Sequence, residues 1–252
     1  MTIPFESKTL SFPNRKIAYR QDSINPNGGV IFLPGFFSDM TGTKASFLAQ
    51  RCHEKGIGFT RFDYRGHGAS SEKFIDGCIG DWLEDALAVF DEVTSGPQIV
   101  VGSSMGGWIM LLLALRRPER VKGLVGIAAA PDFTKDLVWD VLSPEKRQEM
   151  KENGVIYEPS DYGDPLPYTL KLVEEGQNHL LLEKGIDFAG PVRLLHGQMD
   201  KDVPWQTSLK IMEALPHGNV RLTLVKDGDH PLSRPDDLEL LWREVEGLAS
   251  CA

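Results

Sequence analysis

Hydrophobic residues along the chain alternate between short runs rich in β-branched residues and longer stretches with helical spacing. The short runs predict strands at residues 30–33, 59–62, 98–101, 121–129, 192–195 and 220–225. The longer stretches predict helices at residues 44–55, 81–93, 105–117, 205–215 and 236–248. Residues 8–12 and 16–20 predict an antiparallel hairpin ahead of this series. The alternation favours the α/β class, with a mostly parallel central sheet and helices on both faces.

One long segment, residues 131–188, departs from the alternation. It has no apolar strand pattern, but it contains several prolines and tyrosines and two helical pieces, around residues 144–151 and 168–182. We therefore expect a single domain over residues 1–252, with residues 131–188 as a cap insertion that covers one end of the sheet.

The strongest chemical signal is the string VVGSSMGG at residues 100–107, between a predicted strand and a predicted helix. It fits the pattern G-x-S-x-G with Ser104 at the centre, a turn so tight that small residues are needed two positions away on either side. The helix that follows directs its N-terminus at a developing oxyanion. Ser103 is a weaker candidate, because Val101 and Met105 would crowd the turn. We predict Ser104 as a nucleophile; the structural alternative is a glycine-rich turn without catalysis.

A catalytic serine requires a base, and the base requires an acid that orients it. His230 follows the last predicted strand, at the sheet edge where ligands meet open α/β sheets, and is the predicted base. Asp200, after the preceding strand, is the predicted acid. Asp202 is the main alternative, although it could instead cap the next helix, and Asp132 is a more distant one. The other histidines are expected to be solvated or structural: His53, His67, His179, His196 and His217.

An oxyanion hole requires two backbone N–H groups. Met105, directly after the nucleophile, is the first expected donor, and Phe36, in the loop after the strand at residues 30–33, is the second. Gly35 lets that backbone approach the substrate closely. The structural alternative is a turn whose phenylalanines only pack. Trp139 and the tyrosines of the insertion, together with Phe36, Phe37 and Met105, are expected to line an apolar acyl pocket.

Composition narrows the possible partners. The chain has 252 residues, of which 41% are hydrophobic and 25% charged, which is typical of a globular protein. Asp and Glu outnumber Lys and Arg by 36 to 27, a formal net charge of −9, so nucleic acids and anionic membranes are not expected partners. The longest apolar run, residues 108–115, is far shorter than the ~20 residues that span a bilayer, so no membrane span is expected.

The cysteines and the N-terminal residues indicate the cellular compartment in which the protein is expected. Cys52, Cys78 and Cys251 are odd in number and widely spaced, which indicates a reducing compartment without a disulfide framework. Residues 1–10 have neither the apolar run of a secretory signal nor the arginines of a transit peptide. These features predict a cytoplasmic protein.

The sequence predicts no metal and no cofactor. The motif H-E-x-x-H and Cys/His groups with zinc spacing are missing from the sequence. The glycine patterns of dinucleotide-binding and P-loop proteins are missing as well.

The motifs together resemble the α/β-hydrolase superfamily over nearly the whole chain. The resemblance rests on the G-x-S-x-G turn, the string RFDYRGHG at residues 61–68 and the chain order serine, aspartate, histidine. Further strings are similar to a narrower family, the mitochondrial palmitoyl-protein thioesterases also described as acyl-glucuronide esterases: residues 34–35, 40–45, 96–108, 193–197 and 203–205. The resemblance implies an α/β-hydrolase fold and a catalytic triad of Ser104, Asp200 and His230.

The predicted activity is hydrolysis of carboxylic esters or thioesters through an acyl-enzyme, with a small-molecule ester or an acylated protein as substrate. A serine at residue 104 argues against dehalogenases and epoxide hydrolases, whose nucleophile is a carboxylate. Two alternatives use the same scaffold: an acyltransferase or perhydrolase, and a ligand-binding receptor. The sequence sets neither the acyl-chain length nor the oligomeric state.

Overall fold

An eight-stranded sheet lies at the centre of the computed structural model, which describes residues 6–23, 25–160, 163–216 and 218–250. Eight strands form this sheet, and β7 and β8 form a separate hairpin. The strands in chain order are β1 (Lys8–Ser11), β2 (Lys16–Ser23), β3 (Gly29–Leu33), β4 (Gly58–Phe62), β5 (Gln98–Ser103), β6 (Val121–Ile127), β7 (Val155–Ser160), β8 (Gly163–Thr169), β9 (Val192–Gly197) and β10 (Val220–Val225). The helices are α1 (Thr43–Glu54), α2 (Ile79–Val93), α3 (Met105–Arg116), α4 (Pro144–Asn153), α5 (Leu170–Gly176), α6 (Gln206–Ala214) and α7 (Pro235–Ser250).

The strand order in the sheet is β1-β2-β4-β3-β5-β6-β9-β10. β1 pairs with β2, and β2 with β4, in antiparallel fashion, whereas every pairing from β4 to β10 is parallel. β4, β5 and β9 are buried along their whole length, as expected for strands of a parallel sheet that is covered on both faces. The predicted α/β class and mostly parallel sheet are confirmed.

Two hydrophobic layers hold helices against opposite faces of the sheet. One layer contains α2, α3 and α6, through Trp82, Trp108 and Ile211. The other contains α1 and α7, through Leu48 and Trp242. Among the described residues, no helix has the length and apolarity that crossing a bilayer would require.

The segment between β6 and β9 differs in part from its prediction. The two predicted helical pieces correspond to α4 and to the shorter α5, whose first turn is capped by the Thr169 hydroxyl, which accepts the Leu172 N–H at 3.0 Å. The expectation of a segment without strands is wrong, because β7 and β8 form an antiparallel hairpin. This two-stranded ribbon has no run of buried apolar residues, and prolines interrupt both strands, so it lacks the pattern that marks a strand.

Candidate active site

Ser104 lies at the junction of β5 and α3 with φ 54° and ψ −120°, a conformation that L-residues rarely adopt. Its N–H donates to the Ile127 carbonyl at 2.9 Å, and its carbonyl accepts the Ala130 N–H at 3.1 Å. The chain at and just after the end of β6 therefore holds Ser104 in this strained turn.

Close backbone contacts explain why small residues flank Ser104. A Cβ atom on Gly102 would lie 2.3 Å from the Gly106 carbonyl oxygen, and one on Gly106 would lie 2.2 Å from the Leu33 carbonyl oxygen. A Cβ on Gly35 would lie 3.3 Å from the Ser104 Cβ, so the loop after β3 approaches the serine closely. The sequence pattern thus has a direct steric cause at this site.

The structure brings the predicted acid and base together. Asp200 follows β9 and His230 follows β10, and since these strands are parallel neighbours, the two loops leave the same edge of the sheet. His230 Nδ1 lies 2.8 Å from Asp200 Oδ2.

The Asp200 carboxylate accepts hydrogen bonds from four groups. His196 Nε2 lies 3.2 Å from Oδ2, and the backbone N–H groups of Asp202 and Val203 donate to Oδ1 at 2.9 and 2.8 Å. Burial raises the pKa of the fully buried Asp200 carboxyl, but the hydrogen bonds to His196 and His230 and the attraction of His230 lower it more. The net pKa lies well below its usual value, so the carboxylate remains ionised and can orient His230.

The alternative acids have other positions. Asp202 is exposed and supports Asp200 through its backbone N–H, while Asp132 accepts the N–H groups of Leu181 and Leu182, each at 2.9 Å. Asp132 therefore ties residues 181 and 182 to the chain that follows β6. Asp200, Asp202 and His230 offer ligand atoms within 4.8 Å of one another and are the one group in the described ranges whose spacing could hold a metal ion. The four hydrogen bonds already made to Asp200 favour orientation of the imidazole over ligation of a metal.

The remaining histidines have structural contacts where the structure describes them. His196, as expected, is a buried hydrogen-bonding residue: its Nδ1 lies 2.7 Å from Ser208 Oγ, and its Nε2 lies near Asp200 and the Val203 carbonyl. His179 Nε2 lies 2.6 Å from Glu175 Oε1. His217 and Cys251 lie outside the described residues.

Ser104 and His230 line one cavity of about 620 Å³, together with Phe36 and Met105. Met105 is the first residue of α3, so its N–H belongs to the unpaired first turn of the helix. Phe36 lies in a turn closed by a hydrogen bond from the Ser38 N–H to the Gly35 carbonyl at 3.2 Å.

Apolar side chains from the insertion complete the cavity wall: Phe133, Leu137, Val138, Leu166 and Tyr168. The Tyr168 ring stacks on Phe36 with centroids 5.3 Å apart and an interplanar angle of 4°. Phe37 also lines the cavity, as expected. The expectation for the other aromatic residues is wrong where it can be checked: Tyr157 is 60% exposed, and Trp139 packs against Arg147 and Lys151. Tyr162 lies outside the described residues.

Lys44 is a cavity residue that the sequence analysis did not single out. Its ammonium donates to the carbonyl of Pro231, the residue directly after His230. A lysine in the first turn of a helix opposes the helix dipole, and α1 has no acidic residue there. This unfavourable position of a lysine was the feature of the sequence that could have marked Lys44 as a functional residue.

The strained serine turn, the acid–histidine pair and the parallel sheet together define an α/β-hydrolase. Residues 24–156 match the family model Hydrolase_4, described as serine aminopeptidase, S33, and the chain belongs to the α/β-hydrolase family. It is an enzyme of the esterase or thioesterase class, as the sequence predicted.

Among curated relatives, the palmitoyl-protein thioesterase ABHD10, mitochondrial, of Mus musculus is 38% identical over 96% of this chain and 83% of its own length. The solved structure of alpha/beta hydrolase domain-containing protein 10 from mouse has a TM-score of 0.89 and 36% identity, covering 97% of this chain and 98% of its own. A putative hydrolase from Agrobacterium vitis S4 has a TM-score of 0.93 and 42% identity, covering 98% and 99%.

The predicted cytoplasmic location is contradicted by these relatives. The similar proteins of mouse, orangutan, human and rat are all named mitochondrial, which points away from the cytoplasm. The prediction relied on the dispersed cysteines and on the composition of residues 1–10. Free thiols, however, are stable in any reducing compartment, of which the cytoplasm is only one.

Proposed function

We propose that this protein hydrolyses long-chain acyl thioesters, with S-palmitoyl-cysteine in proteins as the substrate class and carboxylic esters as weaker substrates. The observation that carries the proposal is the 2.8 Å contact between Asp200 and His230 beside a cavity that Ser104 also lines. The apolar wall of this cavity supports a long acyl chain, and the name of the mouse relative supports a palmitoyl-protein substrate.

In the proposed reaction, Ser104 Oγ attacks the thioester carbonyl while His230 Nε2 accepts the hydroxyl proton. The N–H groups of Phe36 and Met105 stabilise the oxyanion, and Asp200 holds the imidazole with its proton on Nδ1. Collapse of the tetrahedral intermediate breaks the C–S bond, and His230 returns the proton to the departing thiolate. Water, deprotonated by His230, then hydrolyses the acyl-enzyme and regenerates Ser104.

We further propose that residues 131–188 act as a cap within a single hydrolase domain. Support comes from the side chains of this segment in the cavity wall, among them Phe133 and Tyr168. An acyl chain between this segment and the sheet edge would be shielded from water, which strengthens the electrostatic interactions that stabilise the transition state.

The first experiment compares wild type with Ser104→Ala on p-nitrophenyl esters from acetate to palmitate, followed by an S-palmitoyl-cysteine peptide. We expect the substitution to lower kcat on the order of a million-fold, since it removes the nucleophile. Ser103→Ala is the matched control: it changes the adjacent serine and retains most of the activity. Equal turnover by wild type and Ser104→Ala would exclude the serine mechanism.

The chain-length profile and added acceptors test the remaining alternatives. A long-chain optimum supports the proposed substrate class, whereas an optimum at acetate would favour a small-ester hydrolase. Preferential transfer of the acyl group to an added alcohol or peroxide would assign an acyltransferase or perhydrolase. Ligand binding without turnover across the whole series would assign a receptor.

A further inference from the structure

Lys44 connects the N-terminal end of α1 to the loop that carries His230. Its Nζ donates to the Pro231 carbonyl oxygen at 2.5 Å, across 187 positions of sequence. Both residues line the cavity that contains Ser104 and His230. The lysine therefore contacts the backbone directly beside the proposed base.

The loop after His230 receives few other hydrogen bonds from outside, although its Leu232 side chain is buried in the hydrophobic layer of α1 and α7. The Ser233 hydroxyl donates to the Pro231 carbonyl at 3.0 Å, and the Leu232 N–H donates to Asp229 at 3.0 Å, but both bonds are local. Within the described part of the chain, the hydrogen bonds that reach residues 230–233 from outside the loop come from Asp200 and Lys44. Leu232 has φ 43°, a strained conformation that persists only where the surroundings enforce it.

An ammonium group at this position has an electrostatic cost. It faces the positive end of the α1 dipole, and burial lowers the pKa of Lys44 to about 8, although Asp229 and Asp237 attract the charge. A methionine of similar length would fill the same space without that cost. Methionine has no hydrogen-bond donor and could not bind the Pro231 carbonyl. The N–H donor is therefore the property that favours lysine over methionine at this position.

We propose that Lys44 is a positioning residue for His230: its ammonium anchors the Pro231 carbonyl and thereby fixes the imidazole between Asp200 and Ser104. The inference rests on the proposed function, because it assigns His230 as the base. Lys44 acts through the loop backbone and does not itself transfer a proton.

The test compares Lys44→Met with Lys44→Arg on a p-nitrophenyl ester. Lys44→Met keeps the packing volume and removes the donor, so kcat falls about 10- to 100-fold with little change in KM, as expected for a displaced base. Lys44→Arg restores a donor and recovers most of kcat. Lys55→Met is the matched control: Lys55 follows the other end of α1, where it pairs with Glu246 on the surface, and its loss leaves kcat unchanged.

The pH dependence of kcat distinguishes a positioning role of the Lys44 ammonium from a role in packing alone. The rate of a serine hydrolase rises as its histidine loses a proton and then levels off. When Lys44 loses its charge near pH 8, its hydrogen bond to Pro231 weakens, so we expect kcat of wild type to fall again above about pH 8. Asp229 and Asp237 attract the Lys44 charge. The other titratable groups that line the same cavity are Asp39, Asp164, Lys201, Asp202 and His230. The alkaline fall disappears in Lys44→Met and moves to higher pH in Lys44→Arg.

Two outcomes overturn the inference: unchanged kcat in Lys44→Met, or an alkaline fall that stays in place in Lys44→Arg. Thermal unfolding checks that each variant folds, and if Lys44→Met does not, the pH profile of Lys44→Arg decides alone. The proposed function fails separately, through an inactive wild type or an active Ser104→Ala.

Discussion

The strained backbone at Ser104 depends on glycines that let other parts of the chain approach within van der Waals contact. Gly106 faces the Leu33 and Pro34 carbonyl oxygens, and Gly107 faces Ala129. These contacts are with backbone or short side chains, which cannot rotate away from an added methyl group. The conformation of the serine and the close packing of the first turn of α3 against the end of β3 therefore depend on the same glycines.

Gly106→Ala tests this steric requirement. The new Cβ would lie 2.2 Å from the Leu33 oxygen, so α3 must shift, and we expect a loss of about 1–3 kcal/mol in the free energy of unfolding together with most of the activity. Gly247→Ala in α7 is the control, because its Cβ would meet no atom within 4 Å, and it stabilises the protein by up to about 1 kcal/mol. Urea unfolding and ester hydrolysis measure both effects; a stable, fully active Gly106→Ala would refute the steric account.

The nucleophile position could be predicted from sequence because its requirement is local: small residues at fixed spacing. The choice between Asp200 and Asp202 could not be made from spacing, since both lie in one loop. Asp200 is the residue whose side chain contacts His230, and the backbone N–H of Asp202 reinforces it. The role of Lys44 could not be predicted, because its contact with Pro231 joins residues 187 positions apart and no sequence motif marks it.

At the scale of elements, the hairpin of β7 and β8 brings an aromatic residue against the loop that follows β3. Tyr168 on β8 stacks on Phe36, which also makes edge contacts with Phe74 at 4.8 Å and Phe133 at 5.6 Å. An alternating pattern of apolar and polar residues identifies a strand that has one apolar face, and the strands of this hairpin have few apolar residues on either face. Prediction therefore failed for the element that contacts the proposed oxyanion donor.

Replacing Tyr168 tests whether the hairpin supports that donor. Tyr168→Ala removes the stacked ring, and we expect kcat/KM for p-nitrophenyl butyrate to fall about 2- to 10-fold, in line with the ~0.5–1.5 kcal/mol of an aromatic pair. Tyr168→Phe keeps the ring and serves as the matched control with activity near wild type. An equal loss in both variants would show that the hydroxyl, and not the stacked ring, contributes.

At the scale of the whole molecule, His67 is a buried titratable group within an aromatic cluster. The residue is 4% exposed, and its ring lies 4.8 Å from Phe74, 5.2 Å from Trp82 and 5.6 Å from Tyr64. Burial lowers the pKa of His67 to about 4, against a weaker opposing effect of the hydrogen bond to the Arg65 carbonyl. The folded protein therefore keeps this imidazole neutral under mildly acidic conditions.

This burial predicts the pH dependence of stability. Between pH 6.5 and about 4 the unfolded chain binds a proton at His67 that the folded chain excludes, so stability is full above pH 6.5 and declines as the pH falls. The contribution amounts to up to about 3 kcal/mol in the free energy of unfolding. Urea titrations at pH 7.5 and 4.5 should show a smaller decline for His67→Asn than for wild type. The exposed His53→Asn should keep the wild-type decline; a full decline in His67→Asn would assign it to other groups.

β6 and β9 are hydrogen-bonded neighbours, yet residues 128–191 separate them in the chain. Because the two strands are parallel, this segment leaves the carboxyl edge of the sheet at the end of β6 and crosses to the opposite edge, where β9 begins. Evolution can lengthen, shorten or exchange this module without altering the register of any strand, because its two attachment points are fixed by the Leu124–Val192 pairing and its continuation. Under the proposed cap role, a change in this segment would alter substrate preference without moving the strands that carry Ser104, Asp200 and His230.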